Sequence, residues 1–144
     1  MTPIGDRLFV GDARDAARGD ALPAVGVEAV VRLTHSPPET PYPESLAVDA
    51  VPLIDGPRND PAATRRAISR LRARVESGET TLVHCSAGAS RSVAVAAGAL
   101  ALVRGVAFDD ALATVREQHG PSQPHPAVVE NARAAVADLA DDAA

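Results

Sequence analysis

The chain is poor in several kinds of residue. Among its 144 residues it has no lysine, no tryptophan, one tyrosine, two phenylalanines and a single cysteine. A lone cysteine cannot close an internal disulfide bond, which favours a reducing, cytoplasmic compartment and leaves one thiol free for chemistry. Hydrophobic residues make up 46% of the chain and are mainly alanine and valine, so small and branched side chains must fill the interior.

The chain also lacks long hydrophobic runs and an excess of positive charge. The longest apolar run, residues 93–103, is too short to cross a bilayer, which needs about twenty residues. The first residues have neither the basic nor the apolar region of a signal peptide. A net charge of −5 argues against nucleic acid or an anionic membrane as a partner, because both attract basic patches. No histidines are spaced as metal ligands, so we predict no metal and no cofactor.

Strand-like and helix-like segments alternate along the chain. Apolar and β-branched runs predict strands over residues 7–10, 27–34, 47–54 and 80–84, with the first at the edge of the sheet. Helical spacing and breaker residues predict short helical turns within 12–24 and longer helices over 61–77, 91–104, 106–119 and 127–140. The segment 35–45 contains four prolines and predicts an exposed loop. This order predicts one α/β domain over residues 1–144, with one core and a central, mostly parallel twisted sheet of four to five strands flanked by helices.

The most informative segment is His84-Cys85-Ser86-Ala87-Gly88-Ala89-Ser90-Arg91-Ser92, between a strand-like and a helix-like run. Only small residues separate Cys85 from Arg91, so the backbone can curl and point its N–H groups at one anion. The following helix adds the positive end of its dipole. The same field favours Cys85 as a thiolate, the nucleophilic form of cysteine. We call residues 85–91 the cysteine loop and predict that it holds a phosphate over the sulfur.

These residues carry a family resemblance. His84-Cys85 followed by Gly88, Arg91 and Ser92 resembles the signature of the cysteine-dependent protein tyrosine phosphatases. Over about residues 4–135 the chain is similar to their small dual-specificity branch. The resemblance implies that Cys85 is the nucleophile, and that Arg91 and the backbone amides of Ser86, Ala87, Gly88, Ala89, Ser90 and Arg91 bind the phosphate.

The resemblance also implies roles for residues that flank the loop. Asp55, in a Gly/Pro loop, matches the general acid that later acts as a base, and Ser92 is expected to assist the departure of the sulfur. His84 is expected to hold the cysteine loop by hydrogen bonding and not to transfer protons. Asp60 competes with Asp55, but Asp60-Pro61 has the form of a helix cap, so Asp55 is favoured.

Several other side chains have plainer interpretations. Tyr42 either walls a substrate pocket or is an exposed loop residue, and the second interpretation is favoured. Scattered histidines, His35, His119 and His125, are expected to be solvated loop residues.

The function predicted from these observations is hydrolysis of a phosphomonoester by a protein-tyrosine or dual-specificity phosphatase. Its partner would be a phosphorylated protein or a small phosphomonoester. Because the interior of the loop is small and neutral, a substrate with one phosphate, phosphotyrosine above all, is favoured over a phosphoinositide. Two alternatives stay open: a catalytically weak phosphate- or phosphopeptide-binding module on the same fold, and a rhodanese-like sulfurtransferase.

Overall fold

A computed structural model of the chain describes residues 1–120 and 122–142. Its strands are β1 (Thr2–Gly5), β2 (Leu8–Gly11), β3 (Ala29–Arg32), β4 (Ala47–Ala50) and β5 (Thr81–His84). Its helices are α1 (Ala13–Ala16), α2 (Ala21–Ala24), α3 (Pro61–Glu76), α4 (Arg91–Arg104), α5 (Phe108–His119) and α6 (Pro126–Asp142). The strands form one sheet in the order β1-β2-β5-β3-β4, in which only the β1–β2 pair is antiparallel. The predicted α/β fold is confirmed, and the last residues of the predicted domain, 143 and 144, lie outside the described residues.

The edge of the sheet differs from the prediction. The strand expected at the edge is β2, and its outer side is covered by β1, which the sequence analysis missed. Pro3 and Gly5 weaken the strand pattern of β1, but a proline is tolerated on an edge strand because one side of it needs no N–H partner. Asp6 and Arg7 join the two strands with φ of 55° and 65°, the left-handed conformation of a tight hairpin turn.

Apolar side chains form two clusters instead of the single core that was expected. The larger cluster packs α3, α4, α5 and α6 against one side of the sheet. The smaller cluster contains Leu22, Val30 and Leu82. Because Val30 and Val31 are neighbours on β3 and belong to different clusters, the two clusters lie on opposite sides of the sheet.

Helix α4 runs through the larger cluster and starts at the cysteine loop. Its residues from Ser92 to Ala101 are all buried, as expected for a helix that is apolar on every side. At Gly98 a Cβ atom would lie 2.6 Å from Cδ1 of Ile68 on α3, so the glycine allows the two helices to pack closely. The first turn of α4 is therefore held in place by the core.

Helix α3 begins as the sequence predicts. The side chain of Asp60 accepts a hydrogen bond from the amide of Ala62 at 3.0 Å, and Pro61 stands at the first helical position. The cap interpretation of Asp60 is confirmed. Among the described helices none is both long and apolar enough to span a membrane.

Candidate active site

The cysteine loop follows β5 at the carboxyl end of three parallel neighbours, β2, β5 and β3. Open α/β sheets bind ligands at this end. Gly88 has φ of 67°, and a Cβ atom there would lie 3.2 Å from the backbone of Gly11. Gly88 therefore provides both a left-handed conformation and room for the loop to pack on the turn after β2.

The sulfur of Cys85 lies at the floor of this loop, and the residue is 2% exposed. The amide of Gly88 donates to Sγ at 3.2 Å. The hydroxyl of Ser92 lies 3.2 Å from the same sulfur and is fully buried. An amide, a hydroxyl and the N-terminal end of α4 therefore surround the sulfur.

Two carbonyl groups of the loop are bound from outside. The amide of Ala13 donates to the carbonyl of Ser86 at 3.0 Å. Nε2 of His119 donates to the carbonyl of Gly88 at 2.7 Å. Nδ1 of His119 accepts from the hydroxyl of Thr2 at 2.8 Å, which defines the tautomer. These carbonyls point away from the interior of the loop and leave it to the amides.

His119 corrects the expectation of solvated loop histidines. It is the last residue of α5 and is half-buried between the cysteine loop and β1. His125 also differs, because its Nδ1 accepts from the amide of Ala127 in the first turn of α6. His35 is exposed, as predicted. Nothing local marks His119, since its partners are far away in the sequence.

His84, the last residue of β5, is held from the other side of the sheet. Its Nδ1 lies 3.4 Å from the carbonyl of Cys85, and its Nε2 lies 2.6 Å from the hydroxyl of Tyr42. Because a carbonyl only accepts, Nδ1 carries the proton and Nε2 accepts from Tyr42. Burial lowers the pKa of His84, which keeps the ring neutral, and burial raises the pKa of Tyr42 to about 12.

Tyr42 is therefore not an exposed loop residue. It is half-buried, packs on the smaller apolar cluster and binds His84 behind the cysteine loop. The proline-rich segment around it is exposed at most positions, as predicted, but folds back at this side chain.

Asp55 lies in a second loop, residues 53–59, that we call the acid loop. The hydroxyl of Ser90 donates to Oδ1 of Asp55 at 2.7 Å, and the amide of His125 donates to the same hydroxyl at 2.9 Å. Nη1 of Arg91 donates to the carbonyl of Leu53 at 2.9 Å. Two side chains of the cysteine loop thus bind the acid loop, and Asp55 remains exposed.

Asn59 holds the other end of the acid loop. It is 6% exposed, and its Nδ2 donates to the carbonyl of Ile54 at 2.8 Å. Its Oδ1 accepts from Thr64 of α3 at 2.6 Å and from Asn131 of α6 at 2.9 Å. Asn59 and Asn131 were not predicted as site residues, because a single amide in a loop or on a helix gives no signal of its tertiary partners.

A cleft of about 600 Å³ opens beside the cysteine loop, and we call it the side cleft. Ser86 and Arg91 of the cysteine loop line it, together with Arg14, His35 and Glu39. Within the described part of the chain, no group of three or more His, Cys, Asp or Glu side chains could hold a metal ion. The chemical groups that the site presents are a thiol, amides, a guanidinium, a hydroxyl and a carboxylate.

Known proteins are similar to this chain in sequence and in fold. Dual specificity phosphatase 28 of Mus musculus is 29% identical over 123 residues, which cover 85% of this chain and 75% of that protein. Dual specificity protein phosphatase 1B of Arabidopsis thaliana is 26% identical over 132 residues, which cover 90% of this chain and 77% of that protein. The crystal structure of human DUSP28 matches with a TM-score of 0.85 over 99% of both chains, at 26% identity. No family model matches the chain.

Fold and sequence similarity together support a relationship to the cysteine-dependent protein tyrosine phosphatase superfamily. Within that superfamily the similarity is to the small dual specificity phosphatases. The resemblance drawn from the cysteine segment is thus confirmed at the level of the family.

Proposed function

We propose that the protein hydrolyses phosphomonoesters through a phosphocysteine intermediate on Cys85, with Arg91 binding the phosphate and Asp55 as general acid and base. As a member of its family the chain is a cysteine-dependent protein phosphatase. One observation supports the assignment of roles most strongly. Ser90, a residue of the cysteine loop, donates a hydrogen bond to the carboxylate of Asp55 and so keeps the acid at the loop that carries the sulfur.

In the first step the thiolate of Cys85 attacks phosphorus, an S–P bond forms, and the P–O bond to the leaving group breaks. Amides of the loop from Ser86 to Arg91 and the guanidinium of Arg91 bind the other phosphate oxygens, where charge is spread in the transition state. Asp55 in its protonated form gives its proton to the departing oxygen.

In the second step the same carboxylate acts as a base. Asp55 takes a proton from water, the water oxygen attacks phosphorus, and the S–P bond breaks to release inorganic phosphate and the thiolate. Ser92 lies 3.2 Å from the sulfur, so its hydroxyl can donate to the charge that returns there. The steps use no metal and no cofactor.

The substrate class that we propose is a phosphorylated protein, with phosphotyrosine favoured and phosphoserine or phosphothreonine as alternatives. Side chains inside the loop, Ser86, Ala87, Ala89 and Ser90, carry no charge and suit one phosphate. We propose the cytoplasm as the compartment, because the one cysteine is free and its proposed chemistry needs a reduced thiol.

The test is hydrolysis of p-nitrophenyl phosphate and of a phosphotyrosyl peptide, with a chelator present. We expect vanadate-sensitive turnover that falls by roughly a thousandfold or more in Cys85→Ser, since the nucleophile is lost. Ser69→Ala, which alters an exposed serine on α3, is the matched control and should be unaffected.

Two results would favour the alternatives. Tight phosphopeptide binding without turnover by the wild-type protein would indicate a binding module. Transfer of sulfur from thiosulfate to cyanide, lost in Cys85→Ser, would indicate a rhodanese-like enzyme. Full phosphatase activity of Cys85→Ser would contradict the proposal.

A further inference from the structure

The side cleft continues from the cysteine loop to a cationic side chain that the loop itself does not contain. Ser86 and Arg91 of the cysteine loop line the cleft, and so does Arg14 of α1. A volume of about 600 Å³ is within the usual range for ligand sites. A phosphate bound in the loop therefore has neighbouring space in which the rest of a substrate can lie.

Arg14 is carried by a backbone segment that is bound to the cysteine loop. Its neighbour Ala13 donates its amide to the carbonyl of Ser86 at 3.0 Å. Helix α1 is closed by a capping box, in which Asp12 and Asp15 each accept a hydrogen bond from the other's amide. The Cα position of Arg14 relative to the loop is thus fixed by backbone contacts, although its side chain is exposed.

The guanidinium of Arg14 has no hydrogen-bond or ion-pair partner among residues 1–120 and 122–142. Arg18, one turn later, lies 3.4 Å from the carboxylate of Asp15 and is paired. Glu39 brings one negative charge to the cleft, while Arg14 and Arg91 bring two positive charges and His35 adds an imidazole. The cleft therefore favours an anion, although the whole chain carries a net charge of −5.

We propose that the side cleft is a second subsite, in which Arg14 binds another anionic group of a phosphopeptide substrate. The group is a carboxylate or a second phosphate next to the phosphorylated residue, since both fit a guanidinium. The inference rests on the proposed phosphatase function and names its substrate class. The uncharged side chains of the cysteine loop suit one phosphate, and the cation for the second anionic group comes from α1.

The experiment compares matched phosphotyrosyl peptides that differ only beside the phosphotyrosine. One arm has neutral residues, a second has Asp or Glu on either side, and a third has a second phosphorylated residue. In the wild-type protein we expect kcat/KM to be about three- to tenfold higher for the better acidic arm than for the neutral one. The preference should shrink as the ionic strength rises, because the group is exposed.

Arg14→Gln should abolish this preference and leave kcat/KM for the neutral peptide within about twofold of wild type, and Arg14→Glu should reverse the preference. Arg70→Gln removes an equally exposed arginine from α3, and it should retain the full preference. Comparison of the second and third arms distinguishes a carboxylate from a phosphate as the bound group.

Two outcomes would overturn the inference without touching the proposed function. One is turnover of every arm with equal kcat/KM in the wild type, and the other is a preference that survives Arg14→Glu. A wild-type kcat/KM for inositol phosphates above that for all the peptides would overturn the peptide class. If no arm were hydrolysed at all, the proposed function itself would fail.

Discussion

The cysteine loop and the acid loop reach the same site by different routes. The cysteine loop is continuous in sequence, lies between a buried strand and a buried helix, and has its carbonyls bound by α1 and α5. The acid loop presents an exposed carboxylate. Its Asn59 is bound by Thr64 of α3 and Asn131 of α6, and its other end is bound by Ser90 and Arg91. The residues of the proposed anion site are thus neighbours in the sequence, whereas the position of the proposed acid depends on side chains that are distant in the sequence.

Among the changes that compare the two loops, the largest effect is expected where the loops meet, at Arg91. Arg91→Lys keeps the charge but loses the planar pair of donors for the phosphate and the bond to the carbonyl of Leu53. We expect kcat/KM for p-nitrophenyl phosphate to fall by about a hundred- to a thousandfold. Steady-state kinetics will measure this fall in kcat/KM, with Arg70→Lys as the matched control. A loss below about tenfold in Arg91→Lys would contradict the role of Arg91.

Asp55 and Asp60 offer a matched pair within one segment of the chain. Asp55→Asn should lower kcat for phenyl phosphate by about a hundredfold or more. It should have a smaller effect on p-nitrophenyl phosphate, whose leaving group needs no proton. Asp60→Asn should leave kcat unchanged for both substrates, because asparagine also caps helices. If Asp60→Asn showed the loss that depends on the leaving group, the acid would have to be reassigned.

Ser90 tests whether the cysteine loop positions the acid. Ser90→Ala should slow the hydrolysis of phenyl phosphate by roughly tenfold, since a hydrogen bond to a charged group is lost. Ser90→Thr, which keeps a hydroxyl at this position, should retain most of the wild-type rate. The double variant Ser90→Ala/Asp55→Asn should be no slower than Asp55→Asn alone, because both changes act through one carboxylate. Additive losses would show that Ser90 acts independently of Asp55.

Substitution of Asn59 tests most directly whether the two loops are independent of each other. Asn59→Ala leaves the side chains of Thr64 and Asn131 without their partner, and we expect the free energy of unfolding to fall by about 1–3 kcal/mol. Turnover of phenyl phosphate should fall as well, while the rate at which iodoacetamide alkylates Cys85 stays unchanged. His119→Ala should alter the alkylation rate, since it frees the carbonyl of Gly88. An altered alkylation rate in Asn59→Ala would mean that the loops are not independent.

A small pH effect is expected from the histidine behind the cysteine loop. Burial lowers the pKa of His84 below 6.5, so below that pH the unfolded chain binds a proton that the folded chain does not. Stability should therefore decrease as the pH falls through this value. Melting temperatures at about pH 7.5 and about pH 5.5 should differ less in His84→Gln than in the wild type. Equal differences would indicate that other groups cause the loss.

Prediction from the sequence succeeded where neighbouring residues define the structure. Helix α4 was expected over residues 91–104 and spans Arg91–Arg104, because Gly105 ends it with φ of 66°. Asp60-Pro61 was recognised as a helix cap from two adjacent residues. The order of strands and helices was enough for the α/β class, although β1 was missed because proline and glycine hide a strand that pairs only at the edge.

What failed was the interpretation of isolated polar side chains. Tyr42 and His119 look like loop and surface residues, but they bind His84 and Gly88 across 42 and 31 positions of the chain. Arg14 lies in the short helix that Asp12 caps, and none of its neighbours in the sequence indicates that it lines a cleft. Single residues carry no periodicity, so the sequence offers no means of pairing them.

By itself the sequence indicated the cysteine loop and its proposed anion site, since a thiol, small residues and an arginine stand in one short segment before a helix. It also determined the fold class through the alternation of apolar segments. The resemblance already favoured Asp55, but only the tertiary structure showed that its carboxylate meets the cysteine loop, because Ser90 and Asp55 are 35 positions apart. The physical reason is that hydrogen bonds between distant side chains form only after the sheet and helices have packed, and no local pattern records them.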